Sequence, residues 1–299
     1  MDELRFDRRP KDLNALDTVD SRNAYDDKNH AGGSLMTESM PKTQAPFLPF
    51  NTKEGSEKAT LVVLSGPSGV GKGTMLKALE TGHNTYGAGY LDAPWPYFSS
   101  TVSATTRQPR PREKNGVDYY FLDAPTFEAQ IQAGAFLEYK PSGSGDWYGT
   151  LASEVERIHA LGKLPVLEIE TEGKKEIEKL TAHFKVVSIF IAPPPTLDEA
   201  LVEPLRDQIK SHPEDGDALR PLEEALSCSD DSVRKHLFTL AQRLDLRNSE
   251  TSSQRLKRLS KAVLELKEIP FYDVVIVNDT LASSVPRLRA VFEAIFPTS

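Results

Sequence analysis

Residues 66–74 read Gly-Pro-Ser-Gly-Val-Gly-Lys-Gly-Thr. Gly66, Gly71 and Lys72 make a Gly-x-x-x-x-Gly-Lys pattern, in which glycines let consecutive backbone N–H groups turn inward around an anion. Pro67, Ser68, Gly69 and Val70 complete the loop, and Lys72 would add a point charge at the outer phosphates. The ligand expected of such a loop is a nucleoside triphosphate with its magnesium ion. Gly73 stands where the pattern ordinarily has a magnesium-binding hydroxyl; Thr74 brings one a residue later. A second donor-rich stretch runs from Ser103 through Arg107, Pro109, Arg110, Pro111 and Arg112 to Tyr119. Guanidinium forks held among prolines suit a phosphate. Taken alone, a solvated basic loop or a nucleic-acid contact is the blander reading.

These residues need elements to hold them. Leu61–Leu64 is a short, apolar, β-branched run suited to a strand buried on both faces, and the loop passes from it into a helical pattern carrying Met75, Leu76 and Leu79. A helix start behind the glycines adds partial positive charge at the phosphates. Further strands are expected at Phe98–Val102, Pro165–Ile169, Val186–Ile191 and Val274–Val277. Helices are expected at Leu151–Leu161, Glu172–Leu180, Gln254–Leu266 and Val285–Ile295. Alternating strands and helices predict an α/β fold with a parallel sheet flanked by helices on both faces.

Composition narrows the function classes. The chain has 299 residues, 36 Lys and Arg against 44 Asp and Glu, and a formal net charge of −8. That balance disfavours general attraction to nucleic acid or an anionic membrane while leaving room for a local basic pocket. One cysteine, Cys228, excludes an intramolecular disulfide framework and a multi-cysteine zinc site. No apolar run approaches the roughly 18 residues of a membrane helix. Residues 1–58 contain no secretory apolar region and too many acidic residues for a transit peptide, so they are expected to form a disordered tail. A soluble, cytoplasmic protein is expected.

Across most of Thr60–Pro297 the chain resembles the guanylate kinases. The resemblance lies in the phosphate loop, the Ser103–Tyr119 stretch, Gly134–Tyr139, Trp147–Thr150, Gly162–Lys163, Val166–Gly173, Ile189–Pro194, Arg247–Thr251, Lys257–Leu259 and Tyr272–Asp279. It implies a P-loop fold with a five-stranded parallel sheet, a small GMP-binding subdomain at 101–150, and a lid at 196–267. The core would be 59–100, 151–195 and 268–299. It also implies ATP and Mg²⁺ at residues 66–74 with Asn278, and Thr74 and Glu168 near the metal, acting through water. The GMP phosphate would lie on Arg107, Arg110, Tyr119 and Tyr148, and the guanine on Ser103, Glu138, Thr150 and Glu170. Lys72, Arg107, Arg110, Arg247 and Arg258 would carry the transfer. An additional lid arginine would be Arg243 or, less favoured, Arg206.

The resemblance is interrupted from about 196 to 236, where the family has a short link. Eleven Asp and Glu against five Lys and Arg lie there, most of the chain's net charge. A segment so negative would repel triphosphate over the site, so it is expected to project into solvent as two short amphipathic helices and to be dispensable for folding. The rival class is a guanylate-kinase-like module that binds a protein or phosphopeptide without catalysis. The long tail and acidic insertion favour it; the intact phosphate loop and acceptor residues oppose it.

Overall fold

The computed structural model describes residues 58–83, 94–142, 145–196, 198–228, 231–245 and 251–297. Arg247 and the tail at 1–57 lie outside the described residues. In chain order the elements are β1 (Ala59–Ser65), α1 (Lys72–Thr81), β2 (Phe98–Ser100), β3 (Ala104–Thr105), β4 (Tyr120–Phe121), α2 (Ala124–Gln132), β5 (Phe136–Pro141), β6 (Trp147–Leu151) and α3 (Ala152–Ala160). There follow β7 (Leu164–Glu168), α4 (Thr171–Glu178), β8 (Phe184–Ala192), α5 (Val202–Lys210), α6 (Gly216–Ser227), α7 (Asp231–Asp245), α8 (Ser252–Lys267), β9 (Val274–Val277) and α9 (Leu281–Ile295).

The main sheet has five parallel strands in the order β2-β7-β1-β8-β9. Each expected strand is present, within a few residues at its ends. β1 shows why the run is uniformly apolar. Val62 and Leu64 face Met75, Leu79, Leu288 and Phe292 of α1 and α9. Leu61 and Val63 face Val155 of α3 and Ile177 of α4 on the opposite side. Both faces are covered from Leu61 to Leu64, so a polar residue at any of these four fully buried positions would leave an unpaired buried group. The phosphate loop leaves the carboxyl end of this central strand, where an open parallel sheet offers its crevice.

A second sheet, β4-β3-β6-β5, mixes one parallel and two antiparallel pairings. Its register sets Glu138 opposite Thr150 and Lys140 opposite Tyr148. Residues two apart on a strand share a face, so these four side chains line one surface. The chain leaves the main sheet after Ser100 rather than Val102. Buried Glu154 of α3 takes over there: its carboxylate accepts from the Val102 N–H at 2.9 Å, the Tyr120 hydroxyl at 2.8 Å and the Arg157 guanidinium.

Helices α5 to α8 form a third unit with its own core, which corrects the expectation for the acidic segment. Two amphipathic helices are present, α5 and α6, and their acidic residues Glu203, Asp207, Asp217, Glu223 and Glu224 point outward, as does Glu214 in the turn between them. Their leucines do not stand free. Leu205, Leu219, Leu222 and Leu226 are buried with Leu237, Phe238 and Leu244 of α7 and Leu256, Leu259 and Val263 of α8. Asp215 ties the unit together, pairing with Lys257 at 2.7 Å and accepting from Ser253 at 2.6 Å. Apolar burial of about 1.5–3 kcal/mol per large side chain outweighs the mutual repulsion of solvated carboxylates. α8 starts with a capping box between Thr251 and Gln254. No described helix is long and apolar enough to cross a membrane.

Candidate active site

The loop from Gly66 to Gly71 depends on two glycines. At Gly66, with φ +143°, a Cβ would sit 2.3 Å from the Ile191 carbonyl oxygen; at Gly71, with φ +100°, it would sit 2.7 Å from the Asn278 amide. A side chain at Gly66 would push the loop off the β8 backbone, and one at Gly71 would displace the Asn278 amide and strain a left-handed backbone. Gly71 starts α1 with no side-chain cap and no acidic residue in the first turn. The helix therefore offers its first N–H groups and the positive end of its dipole to an anion.

Asn278 supports this loop from beneath. Its buried amide donates to the Val70 carbonyl at 2.8 Å and accepts from the Ser284 hydroxyl at 2.8 Å. Arg243 of α7 adds a second brace, donating to the Val70 carbonyl at 3.2 Å and the Asn278 carbonyl at 2.8 Å. Both side chains thus hold the cradle in place. Arg206 lies elsewhere, between Glu203 and the Leu226 carbonyl. Arg258 of α8 reaches the loop itself, with Nη1 3.5 Å from Ser68 Oγ.

Lys72 donates to the Gly66 carbonyl, with the Pro67 carbonyl at 3.5 Å. Burial lowers its pKa, while Glu265, Glu168 and Glu170 pull it upward. The negative charge of these carboxylates partly offsets the cost of burying the ammonium. Glu168, at the end of β7, accepts from Ser100 Oγ at 3.3 Å, and its other oxygen lies 3.9 Å from where a Gly73 Cβ would be. It is open to solvent yet closely surrounded by protein, and that surrounding raises its pKa against the pull of Lys72. Among the described residues no three His, Cys, Asp or Glu converge on a metal position. Thr74 and Glu168 beside the phosphate cradle nonetheless fit Mg²⁺, which commonly takes one or two carboxylates with phosphate oxygens and water.

On the small sheet, Glu138 is 7% exposed and accepts from the Thr150 hydroxyl at 2.7 Å. Burial raises its pKa, partly offset by the bond from Thr150 and the charge of Lys140. Gly173 lets α4 close over it, since a Cβ there would lie 3.2 Å from Glu138 Oε2. Arg107 forms the other end of this surface. It donates to Tyr148 Oη at 3.2 Å and pairs with Glu113 at 2.9 Å. It also lies over the Tyr119 ring at 5.4 Å. Glu113 further accepts from the Arg110 backbone N–H at 2.7 Å and so sets the turn carrying both arginines. Its hydrogen bond to Arg107 raises the guanidinium pKa further and lowers its own. Ser103 lies just before β3, where its carbonyl accepts from Tyr120 N–H at 2.9 Å.

Four charged groups here were not singled out from the sequence: Glu113, Lys140, Lys261 and Glu265. Their spacing carried the signal. Lys140 is two residues beyond Glu138 on the same strand face, and Lys261 and Glu265 continue the Arg258 face of α8 at i+3 and i+7. Glu170 lies between two of them, its Oε2 bonded to Lys140 and its Oε1 to Lys261. Glu265 is 6% exposed, and burial pushes its pKa up to about 7 against the pull of Lys261 and Lys72.

A family model described as guanylate kinase matches residues 58–218. The guanylate kinase of Thermosynechococcus vestitus is 34% identical over 238 residues, spanning 80% of this chain and 95% of that protein. That of Sus scrofa is 33% identical over 223 residues, 74% of this chain and 85% of the relative. The Homo sapiens guanylate kinase is 32% identical over 231 residues, with 76% and 89% covered.

Proposed function

The chain belongs to the guanylate kinase family, and from that premise we propose that it transfers the γ-phosphoryl group of ATP to GMP, giving ADP and GDP. The observation that carries the acceptor assignment is the buried Glu138–Thr150 pair at one end of a surface whose other end is Arg107. Guanine offers N1–H and N2–H beside its O6 acceptor. An ionised Glu138 accepts from the two donors, and Thr150 holds that carboxylate in orientation. Adenine has an unprotonated N1 at the same edge, which would leave a buried carboxylate facing a lone pair.

The acceptor oxygen belongs to a phosphate whose second pKa is about 6, so it is largely ionised near neutral pH and needs no strong base. Alignment of two anions and neutralisation of charge are what the protein must supply. In this reading Arg107, Arg110, Tyr119 and Tyr148 hold the GMP phosphate, and Ser103 adds a hydroxyl on the base side. The residue 66–74 loop and the α1 N-terminus hold the ATP phosphates, with Lys72 and Arg258 placed at the group in transfer. Arg247 is proposed as a further cation on the family pattern alone. Mg²⁺, when bound near Thr74 and Glu168, neutralises phosphate charge. Asn278 contributes by shaping the loop.

The test is ADP formation by the full-length protein with GMP, AMP, CMP or UMP as acceptor at fixed ATP and Mg²⁺. GMP should exceed AMP in kcat/KM by about 10⁴, the discrimination reached by sites built to hydrogen-bond a specific group. Comparable use of AMP, or no GMP-dependent ADP, would sink the assignment.

A further inference from the structure

We infer that Glu154 is a positioning residue for the phosphoryl acceptor, a buried carboxylate on α3 that fastens the β4 edge of the small sheet and thereby sets Tyr119 and Arg107 at the GMP phosphate. The inference rests on the acceptor site assigned above.

The small sheet joins the main one through two passages of chain. One runs from Ser100 at the end of β2 to Ala104 at the start of β3, and the other is the step from β6 into α3 at Leu151 and Ala152. They lie side by side, since β3 and β6 pair with Ala104 opposite Gly149. Two adjacent attachments leave a rotation about the line through them, and contacts away from that line must stop it. The outer strands of the sheet are β4 and β5. At the β5 edge, Leu137 is buried with Val155 of α3 and Ile177 of α4. At the β4 edge the contact is polar: the Tyr120 hydroxyl donates to Glu154 Oε1 at 2.8 Å.

Glu154 is built for this task. It is 2% exposed, and four donors take its two oxygens. Oε1 accepts from Tyr120 and from Arg157 Nε at 2.9 Å, and Oε2 accepts from the Val102 N–H and Arg157 Nη2, each at 2.9 Å. Val102 lies within the first passage, so one carboxylate holds both the passage and the outer strand. Burial raises its pKa, but the bonds from Arg157, Val102 and Tyr120 outweigh this and hold it below the usual carboxylate range. Hydrogen bonds to an ionised acceptor are stronger and more directional than the apolar contact at the β5 edge.

The consequence for the acceptor follows from strand geometry. Side chains alternate across a strand, so the residues flanking Tyr120 face away from Glu154. Those residues are Tyr119 and Phe121, and the Arg107 guanidinium lies over their rings at 5.4 and 5.7 Å. The Tyr119 ring also meets Tyr148 edge-on at 5.9 Å. A bond on one face of β4 therefore fixes the phosphate-holding group on the other. Glu138 lies on β5, the far edge, which separates base reading from this contact.

Two measurements test the inference. The first is kcat and KM for ATP, GMP and AMP in wild type, Tyr120→Phe, Glu154→Gln, Glu154→Leu and the Tyr120→Phe/Glu154→Leu double variant. Tyr120→Phe removes one hydroxyl and should lower kcat with GMP about tenfold, because small misplacements of reacting groups are costly. The KM for ATP and the GMP-to-AMP preference should stay unchanged. Glutamine can still accept from Tyr120, so Glu154→Gln should retain more rate than Glu154→Leu. The double variant should be no worse than Glu154→Leu alone, since both changes break one contact. Normal kcat in Tyr120→Phe, multiplying losses in the double variant, or a changed GMP-to-AMP preference would overturn the inference. Should the Glu154 variants fail to fold, Tyr120→Phe decides alone.

The second measurement needs no turnover. Spin labels at the exposed positions Ala129→Cys on α2 and Ala294→Cys on α9, in a Cys228→Ser background, report the separation of the acceptor unit from the main sheet. The distance distribution should broaden with Tyr120→Phe; an unchanged distribution contradicts the inference. A wild-type protein that fails to phosphorylate GMP would refute the proposed reaction, while the label distances would still decide whether Glu154 holds the acceptor unit.

Discussion

Replacing Glu265 by glutamine should make the protein more stable, and increasingly so as pH rises. Glu265 is 6% exposed on α8, and burial pushes its pKa from 4.5 to about 7. The sign follows from proton linkage. Below about pH 4.5 the carboxyl is neutral in both folded and unfolded chains and costs nothing. Between 4.5 and 7 the unfolded chain releases the proton while the folded chain keeps it, so folding loses about 1.4 kcal/mol per pH unit. Above 7 both forms are ionised and the penalty is complete. The interval amounts to about 3 kcal/mol, with the attraction to Lys261 and Lys72 already contained in the folded-state value. The assay is urea unfolding of wild type and Glu265→Gln at pH 5, 6, 7 and 8, with the difference between them isolating this group. The stability of the variant relative to wild type should rise through pH 5–7 and level off by pH 8. A pH-independent difference, or a wild type that gains on the variant as pH rises, would refute the reasoning. The latter would mean that the two ammonium groups outweigh burial.

Other residues give sharper yes-or-no outcomes. Lys72→Ala should leave the melting temperature nearly unchanged and lower kcat by at least about a hundredfold, as loss of a charge clamp at a transferring phosphoryl group does; a folded variant with near-normal turnover removes this loop from the catalytic assignment. Leu222→Ala should cost about 2–5 kcal/mol, because the side chain is fully buried between α5–α6 and α8. Replacing 196–236 by a Gly/Ser linker should therefore yield unstable protein, and a soluble, fully active product would restore the sequence expectation of a dispensable projection. Arg258→Ala should lower kcat while Arg206→Ala leaves it unchanged, since only Arg258 approaches the phosphate loop; equal effects would contradict that placement.

The sheet was legible because β1 and its neighbours β7 and β8 each contain a short apolar run bounded by glycine or helical patterns. The phosphate loop was legible because its glycines are required by close backbone approach, as Gly66 against Ile191 shows. The acidic segment misled because charge was weighed above its leucine spacing. Carboxylates on the outer face of α5 and α6 leave the inner face free to bury Leu205, Leu219, Leu222 and Leu226. Asn278 was placed at the nucleotide by the family resemblance; that its amide bonds Val70 and Ser284 beneath the phosphate loop is a feature that only tertiary packing reveals. Lys140, Lys261 and Glu265 went unremarked because each lies on a face whose other members had already been noted, Glu138 or Arg258. A lysine or glutamate in such a position looks like solvated surface until the partner strand or helix is known.

In the proposed reaction the buried Glu138 carboxylate on β5 selects guanine as the base of the phosphoryl acceptor. The most direct test of this selection is kcat/KM for GMP and for AMP in wild type and Glu138→Gln, at fixed ATP and Mg²⁺. Glutamine offers one donor and one acceptor in place of two acceptors, which suits the adenine edge as well as it spoils the guanine one. Wild type should prefer GMP by about 10⁴, and the variant should lose GMP activity and narrow the gap by at least tenfold. A variant that retains the wild-type GMP-to-AMP ratio would contradict the claim and move base recognition away from Glu138.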